Sequence, residues 1–158
     1  MNTQENNTTP TINWQRSILA GLIGTLLFDI VGFALIGQWW DIPGLLGAKL
    51  GIGLPGGLLA HYGNGATIAI IYSALAPSLF GPKWFRAFSF ITAQTVMGVW
   101  LFMLPLLGAG IAGLDMNKLM PLITLARHFA FAAPFILLIP VAGIKERQPL
   151  RALNDQTA

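Results

Sequence analysis

The chain has 158 residues, of which 54% are hydrophobic and only 9% are charged, whereas roughly 25% of the residues in an ordinary soluble domain are charged. This balance indicates a membrane protein. The absence of cysteine excludes disulfides, thiolate nucleophiles and thiolate metal sites, and a formal net charge of +3, spread over dispersed residues, does not indicate binding to nucleic acid.

The N-terminal part of the chain predicts a short tail followed by a membrane helix. Residues 1–15 are expected to form a disordered tail, because they are largely polar and lack the basic start and cleavage site of a secretory signal peptide. Residues 17–36 are apolar over a length that crosses a hydrocarbon core of ~30 Å at ~1.5 Å per residue. Asp29 interrupts this run and shares a helix face with Thr25 and Gly32, so we expect it to face protein.

Three further apolar runs predict the rest of a transmembrane domain that extends over residues 16–144. The second run already becomes apolar near Leu50, before the predicted start of its helix. Residues 145–158 are expected to form a cytoplasmic tail that is first basic and then polar. The three predicted helices are residues 58–80, 87–107 and 121–144.

Glycine-rich connections precede the second and the fourth predicted helix. Residues 38–57 contain Trp39, Trp40, two prolines and six glycines, which predicts an interfacial, turn-rich segment that folds back onto the membrane surface. Residues 108–119 form a similar apolar loop, and Pro121 suits the first turn of the helix that follows.

The positive residues outside the helices predict the orientation of the chain. Six of them lie on one side of the predicted helices and two on the other, which places both termini in the cytoplasm by the positive-inside rule. Short connections favour an up-down bundle of four transmembrane helices, and therefore an all-α, multi-pass integral membrane protein in a lipid bilayer. The two sets are Arg16, Lys83, Arg86, Lys145, Arg147 and Arg151 on the first side, and Lys49 and Lys118 on the second.

Estimated heights along the helices bring several polar residues into one layer of the outer half of the bundle. At ~1.5 Å per residue, Asp29 lies about 3 Å and His61 about 12 Å beyond the membrane midplane. Gln94 falls in the inner half. The predicted layer comprises Asp29, His61, Asn64, Arg127 and His128.

The simplest interpretation of this polar layer is structural. Charged groups in hydrocarbon pair or lose their charge, so Asp29 and Arg127 are expected to form an ion pair. His61 would then donate a hydrogen bond to a backbone carbonyl or to Asp29, because polar side chains also hold membrane helices together.

A second interpretation treats the only two histidines, His61 and His128, as paired metal ligands. Helix bundles bind cofactors through side chains on facing helices, and two neutral imidazoles supply the axial ligands of a haem b iron. Gly65 would leave room for the flat macrocycle, Phe131 would form an aromatic wall, and Arg127 would neutralise a propionate. The leading hypothesis is therefore a membrane-embedded b-type haem protein for electron transfer, with quinone or a redox membrane protein as its partner.

Two other functions stay open. One is a non-catalytic accessory subunit of a larger membrane complex, in which the polar residues serve assembly. The other is a small proton- or anion-conducting homo-oligomer, since membrane proton pathways use chains of Asp, His and Arg. A zinc or di-iron site is not indicated, because the only glutamates, Glu5 and Glu146, lie in the two tails. A serine hydrolase is not indicated either, because the chain has no G-x-S-x-G context.

The second, third and fourth predicted helices each carry a characteristic group of residues. His61-Tyr62 with Gly65 opens the second helix, the third ends in Leu104-Pro105-Leu106-Leu107-Gly108, and His128 stands near the start of the fourth. In this pattern the chain, from about Arg16 to Ile144, resembles a family of small bacterial four-helix membrane proteins without an assigned activity. The resemblance implies the bundle fold and placement in the bacterial inner membrane. It departs from the family after His128, where Phe129-Ala130 replaces Tyr-Gly.

Overall fold

The computed structural model describes residues 12–140, and these residues are almost entirely helical. Helices make up 81% of them, and they contain no strand. Short 3-10 turns lie at Ala76–Ser78 and Ile111–Gly113. The five principal helices are α1 (Trp14–Ile36), α2 (Asp41–Leu50), α3 (Gly53–Leu75), α4 (Lys83–Leu106) and α5 (Met120–Leu138).

Three of these helices, α1, α4 and α5, are long and apolar enough to cross a membrane. The short helix α2 and the helical stretch Gly53–Ser78 provide a fourth candidate span if they count as one, although they are bent by 114° at their junction. Within residues 12–140, the fold is therefore an all-helical arrangement with three to four apolar candidate spans.

The first helix begins earlier than the sequence predicts. Asn13 caps it, because the Asn13 side chain accepts a hydrogen bond from the Arg16 backbone N–H. Trp14 and Gln15 are consequently helical instead of part of a tail. The predicted disorder of the preceding residues 1–11 lies outside the described residues.

The segment 38–57, predicted to be a turn-rich connection, contains a helix. Residues 41–50 form α2, which folds back against α3, and α3 itself begins at Gly53 instead of residue 58. Glycine is the reason, because a Cβ at Gly57 or Gly47 would collide with the backbone of the facing helix. The glycines that resemble turn residues in the sequence are therefore close-packing residues between two helices.

The remaining boundaries also differ from the prediction. The helix α3 ends at Leu75, where the 3-10 turn containing Pro77 follows, and α4 begins at Lys83 instead of residue 87. The last helix, α5, ends at Leu138, two residues before Pro140, which cannot continue a helix. Residues 141–158, with the predicted end of the fourth helix and the basic tail, lie outside the described part.

The helix α1 lies in the middle of the group, between α3 and α5, and small residues allow both contacts. A Cβ at Gly21 would come within 2.6 Å of Ala66 Cα on α3, and a Cβ at Gly24 within 2.5 Å of the Phe131 carbonyl oxygen on α5. The helix α2 packs on the outer side of α3, and α4 packs on α5. Asp29 is thereby placed where α1 meets both neighbours.

The middle of α4 departs from α-helical winding. Residues Thr95–Met103 form a π-helix, which widens the turn and directs Trp100 toward α5. An aromatic layer lies nearer the α3–α4 connection than this π-helix does. It is defined here as Tyr72, Phe90, Phe131 and Phe135. Its members are in ring contact, with Phe131 and Phe135 centroids 4.9 Å apart and Tyr72 stacked on Phe135 at 5.1 Å.

Candidate functional site

Asp29 is the centre of a polar cluster between the helices. Its side chain is buried, with 1% of the residue surface exposed, as the small residues on its helix face predict. His61 Nε2 donates to Asp29 Oδ1 over 3.1 Å, and the Tyr62 hydroxyl donates to Asp29 Oδ2, also over 3.1 Å. Each carboxylate oxygen of Asp29 therefore has its own donor from α3.

Arg127 contacts Asp29, as expected from the sequence, but its two short hydrogen bonds go to Asp41, which the sequence did not indicate. Arg127 Nη1 donates to Asp41 Oδ2 over 2.7 Å, and Nη2 donates to Asp41 Oδ1 over 2.8 Å. Arg127 Nη2 is 4.0 Å from Asp29 Oδ1, a much weaker contact. The back-folding of α2 explains the difference, because it carries Asp41 from an expected surface loop to the buried guanidinium.

Phe28 connects the two sides of this cluster. The Arg127 guanidinium lies over its ring, 4.1 Å from the centroid, in a cation–π contact. The same ring is 5.4 Å from the His61 ring and 5.0 Å from the His128 ring, centroid to centroid. Phe28 therefore stands against both imidazoles.

His128 belongs to a separate set of hydrogen bonds between α4 and α5. Its Nδ1 donates to the Thr124 carbonyl oxygen over 2.7 Å, so in the neutral ring Nε2 carries the lone pair. Trp100 Nε1 donates to the Thr124 hydroxyl over 2.8 Å, which connects the π-helical part of α4 to the same turn. His61 and His128 therefore differ in the nitrogen that donates.

Several residues predicted for the site have other places in the structure. Asn64 is exposed on α3 and lies outside the cluster. Gly65 leaves no room for a macrocycle, because a Cβ there would collide with the Thr25 hydroxyl on α1. Phe131 packs against Phe135 and the backbone of Gly24.

Three residues at the site were not predicted as site residues from the sequence, namely Phe28, Asp41 and Tyr62. A signal for Asp41 was its place in the segment 38–57, which was expected to fold back onto the membrane surface. For Tyr62 the signal was weaker. Its hydroxyl donates to one carboxylate oxygen of Asp29, and the adjacent His61 donates to the other.

The described arrangement does not fit a haem held by two histidines. The His61 nitrogen that would bind iron is donating to Asp29, and the Phe28 ring occupies the position beside both imidazoles. Haem ligation by His61 and His128 thus stays a prediction of the sequence, and it requires Phe28 to move and His61 to release Asp29. Among residues 12–140, no group of three or more His, Asp or Glu side chains is placed to hold a metal ion.

The Asp29 cluster is defined here as Asp29, Asp41, His61, Tyr62 and Arg127. It contains two carboxyl groups and one guanidinium. Asp29 is buried, whereas the Asp41 side chain is 18% exposed. Because an unpaired buried charge is strongly unfavourable, Asp29 depends on the hydrogen bonds that His61 and Tyr62 donate to it.

The cluster reaches the surface of the helix group through two of its members. The His61 side chain is 11% exposed, and Tyr62 is half-buried. Toward the ends of α3 and α5 the aromatic layer follows, where Tyr72 and Phe135 are fully buried. The Asp29 carboxylate is therefore connected to the surface through His61 and Tyr62.

Comparison with other proteins gives no relative to set beside this geometry. No family model matches the chain, and no curated protein or solved structure matches it.

Proposed function

We propose that the chain is a proton-conducting membrane protein in which the Asp29 cluster binds the transported proton. In this proposal it resides in the bacterial inner membrane, crosses it four times with α2 and α3 as one bent span, and works as a homo-oligomer. Its interior contains titratable groups of the kinds that membrane proton pathways use.

The observation that carries the proposal is the double hydrogen bond to Asp29. Its carboxylate accepts from an imidazole and from a phenol at 3.1 Å, while the nearby guanidinium is already engaged by Asp41. Asp29 is thus a buried base with an attached proton carrier, His61, whose other side reaches the surface. A purely structural ion pair needs only one acid for one arginine.

The charge distribution supports the proposed orientation. Arg16 and Lys83 are exposed at the ends of α1 and α4 that the proposal places in the cytoplasm. Lys49, in the last turn of α2, and Lys118, before α5, are exposed at the opposite ends. In this orientation the exposed edge of His61 faces the outer half of the membrane.

The test is proton flux into vesicles that contain the purified protein and a pH-sensitive dye, driven by a potassium diffusion potential. Wild type is expected to acidify the vesicles, and Asp29→Asn is expected to reduce the rate by about 100-fold, the lower end of what a positioned proton-transfer group contributes. Asp115→Asn makes the same chemical change at an exposed loop residue and is expected to conduct like wild type. Wild-type flux no greater than that of empty vesicles would contradict the proposed function.

A further inference from the structure

Two buried polar atoms lie without a partner in the half of the helix group nearest the α3–α4 connection. The Tyr72 hydroxyl and Gln94 Oε1 accept or donate no hydrogen bond among the described residues, and Tyr72 is fully buried. Leaving such a group unpaired costs about 1–3 kcal/mol, and most buried polar groups in native proteins are paired. Neither group belongs to the Asp29 cluster, so each needs its own explanation.

The Tyr72 side chain lies where α3 meets α4, and Gln94 lies on α4 one turn beyond that contact. The Tyr72 ring is 5.4 Å from the Phe90 ring, centroid to centroid, and Gln94 follows Phe90 by one turn of α4. One turn of α4 before Phe90, Arg86 donates to the carbonyl oxygens of Ala76 and Gly81 over 3.1 and 2.7 Å. Polar groups thus succeed one another from the α3–α4 connection toward the middle of the helices.

The seams of α1 with α3 and with α5 are closed by contact between backbones. A methyl group at Gly21 would collide with α3, and one at Gly24 would collide with α5. At the α3–α4 seam the contact is made by the aromatic rings of Tyr72 and Phe90, and side chains change rotamer far more readily than packed backbones move. Water therefore enters at this seam at a lower cost than at the two seams of α1.

We propose that the proton moves between the Asp29 cluster and the α3–α4 end of the protein along this seam, with Tyr72 as a relay and Gln94 as a positioning residue for water. The inference rests on the proposed function and adds the inner half of the path. Tyr72 Oη accepts a proton from a protonated water molecule on one side, which becomes neutral water, and releases its own proton to a neutral water molecule on the other. The hydroxyl is regenerated, one O–H bond forms as another breaks, and no oxidant or reductant takes part.

The test uses two substitutions and a matched control in the vesicle assay described above. Tyr72→Phe and Gln94→Leu are expected to lower the flux by about 100-fold each. They are also expected to keep or raise the unfolding temperature in detergent, because each removes an unpartnered polar atom. Thr67→Val deletes a hydroxyl on an exposed part of α3 and is expected to change neither quantity.

The outcomes separate the inference from the proposed function. If wild type conducts and Tyr72→Phe and Gln94→Leu conduct equally well, the inner path is wrong while the role of Asp29 stands. If the two variants lose flux and also unfold well below wild type, the residues are structural and the inference is again contradicted. If wild type itself does not conduct, both the proposed function and the inference fail.

Discussion

Arg127 and Asp41 form a bidentate ion pair although 86 positions separate them, with two N–O distances of 2.7 and 2.8 Å. The pair joins the start of α2 to α5 and engages the guanidinium that lies 4.0 Å from Asp29. Asp29 is left with the hydrogen bonds that His61 and Tyr62 donate to it.

This pairing predicts an unequal effect of removing its two members. Arg127→Gln is expected to destabilise the protein by about 3–5 kcal/mol, because it leaves the buried Asp29 and the partly buried Asp41 without a cation. Asp41→Asn is expected to cost about 2 kcal/mol, because a charge-assisted hydrogen bond is lost while Asp29, 4.0 Å away, still faces Arg127. Unfolding curves in detergent measure both values. Equal losses for the two variants would contradict the assigned pairing.

The contact between α1 and α3 predicts opposite effects for two glycines on the same helix. Gly65→Ala is expected to destabilise by about 1–3 kcal/mol, because its methyl group would overlap the Thr25 hydroxyl. Gly63→Ala, with open space at its Cβ position, is expected to stabilise by up to about 1 kcal/mol through helix propensity. The same unfolding curves give the comparison. A stabilising Gly65→Ala would show that α3 does not approach α1 as described.

The position of Phe28 predicts the absorption spectrum. Protein purified from cells with ample haem is expected to show no haem bands, because Phe28 lies against both imidazoles and His61 binds Asp29. A low-spin haem spectrum that disappears in both His61→Ala and His128→Ala would instead establish the haem hypothesis. It would also show that the helices adopt a second arrangement around the cofactor.

The sequence predicted the helical class and the apolar helices, because hydrophobic length and composition are local properties of the chain. It also predicted that Asp29 faces protein, since the spacing of Gly32 and Thr25 from Asp29 sets a helix face. The back-folding of α2 was not predictable in the same way. It depends on the contact of Gly47 and Gly57 with the facing helix, and glycine in a sequence indicates a turn as readily as close packing.

The face that α3 turns toward α1 explains why the predicted polar layer differs from the observed cluster. His61 and Gly65 are four residues apart and share the face that packs on α1, whereas Asn64 lies about 100° from Gly65 and points away. The estimated height along the helix does not determine the face on which a residue lies, so it placed Asn64 in the polar layer although Asn64 points away from α1. Only the packing of Gly65 on Thr25 fixes that face.

Nitrogen NMR of the two histidines tests the central claim, the attachment of His61 to Asp29, most directly. For the neutral form of the two rings, ¹⁵N-histidine spectra are expected to show two different tautomers, with the proton on Nε2 in His61 and on Nδ1 in His128. Asp29→Asn is expected to change the His61 signals and leave those of His128 in place. Identical tautomers in wild type, or a His61 ring that does not respond to Asp29→Asn, would contradict the account.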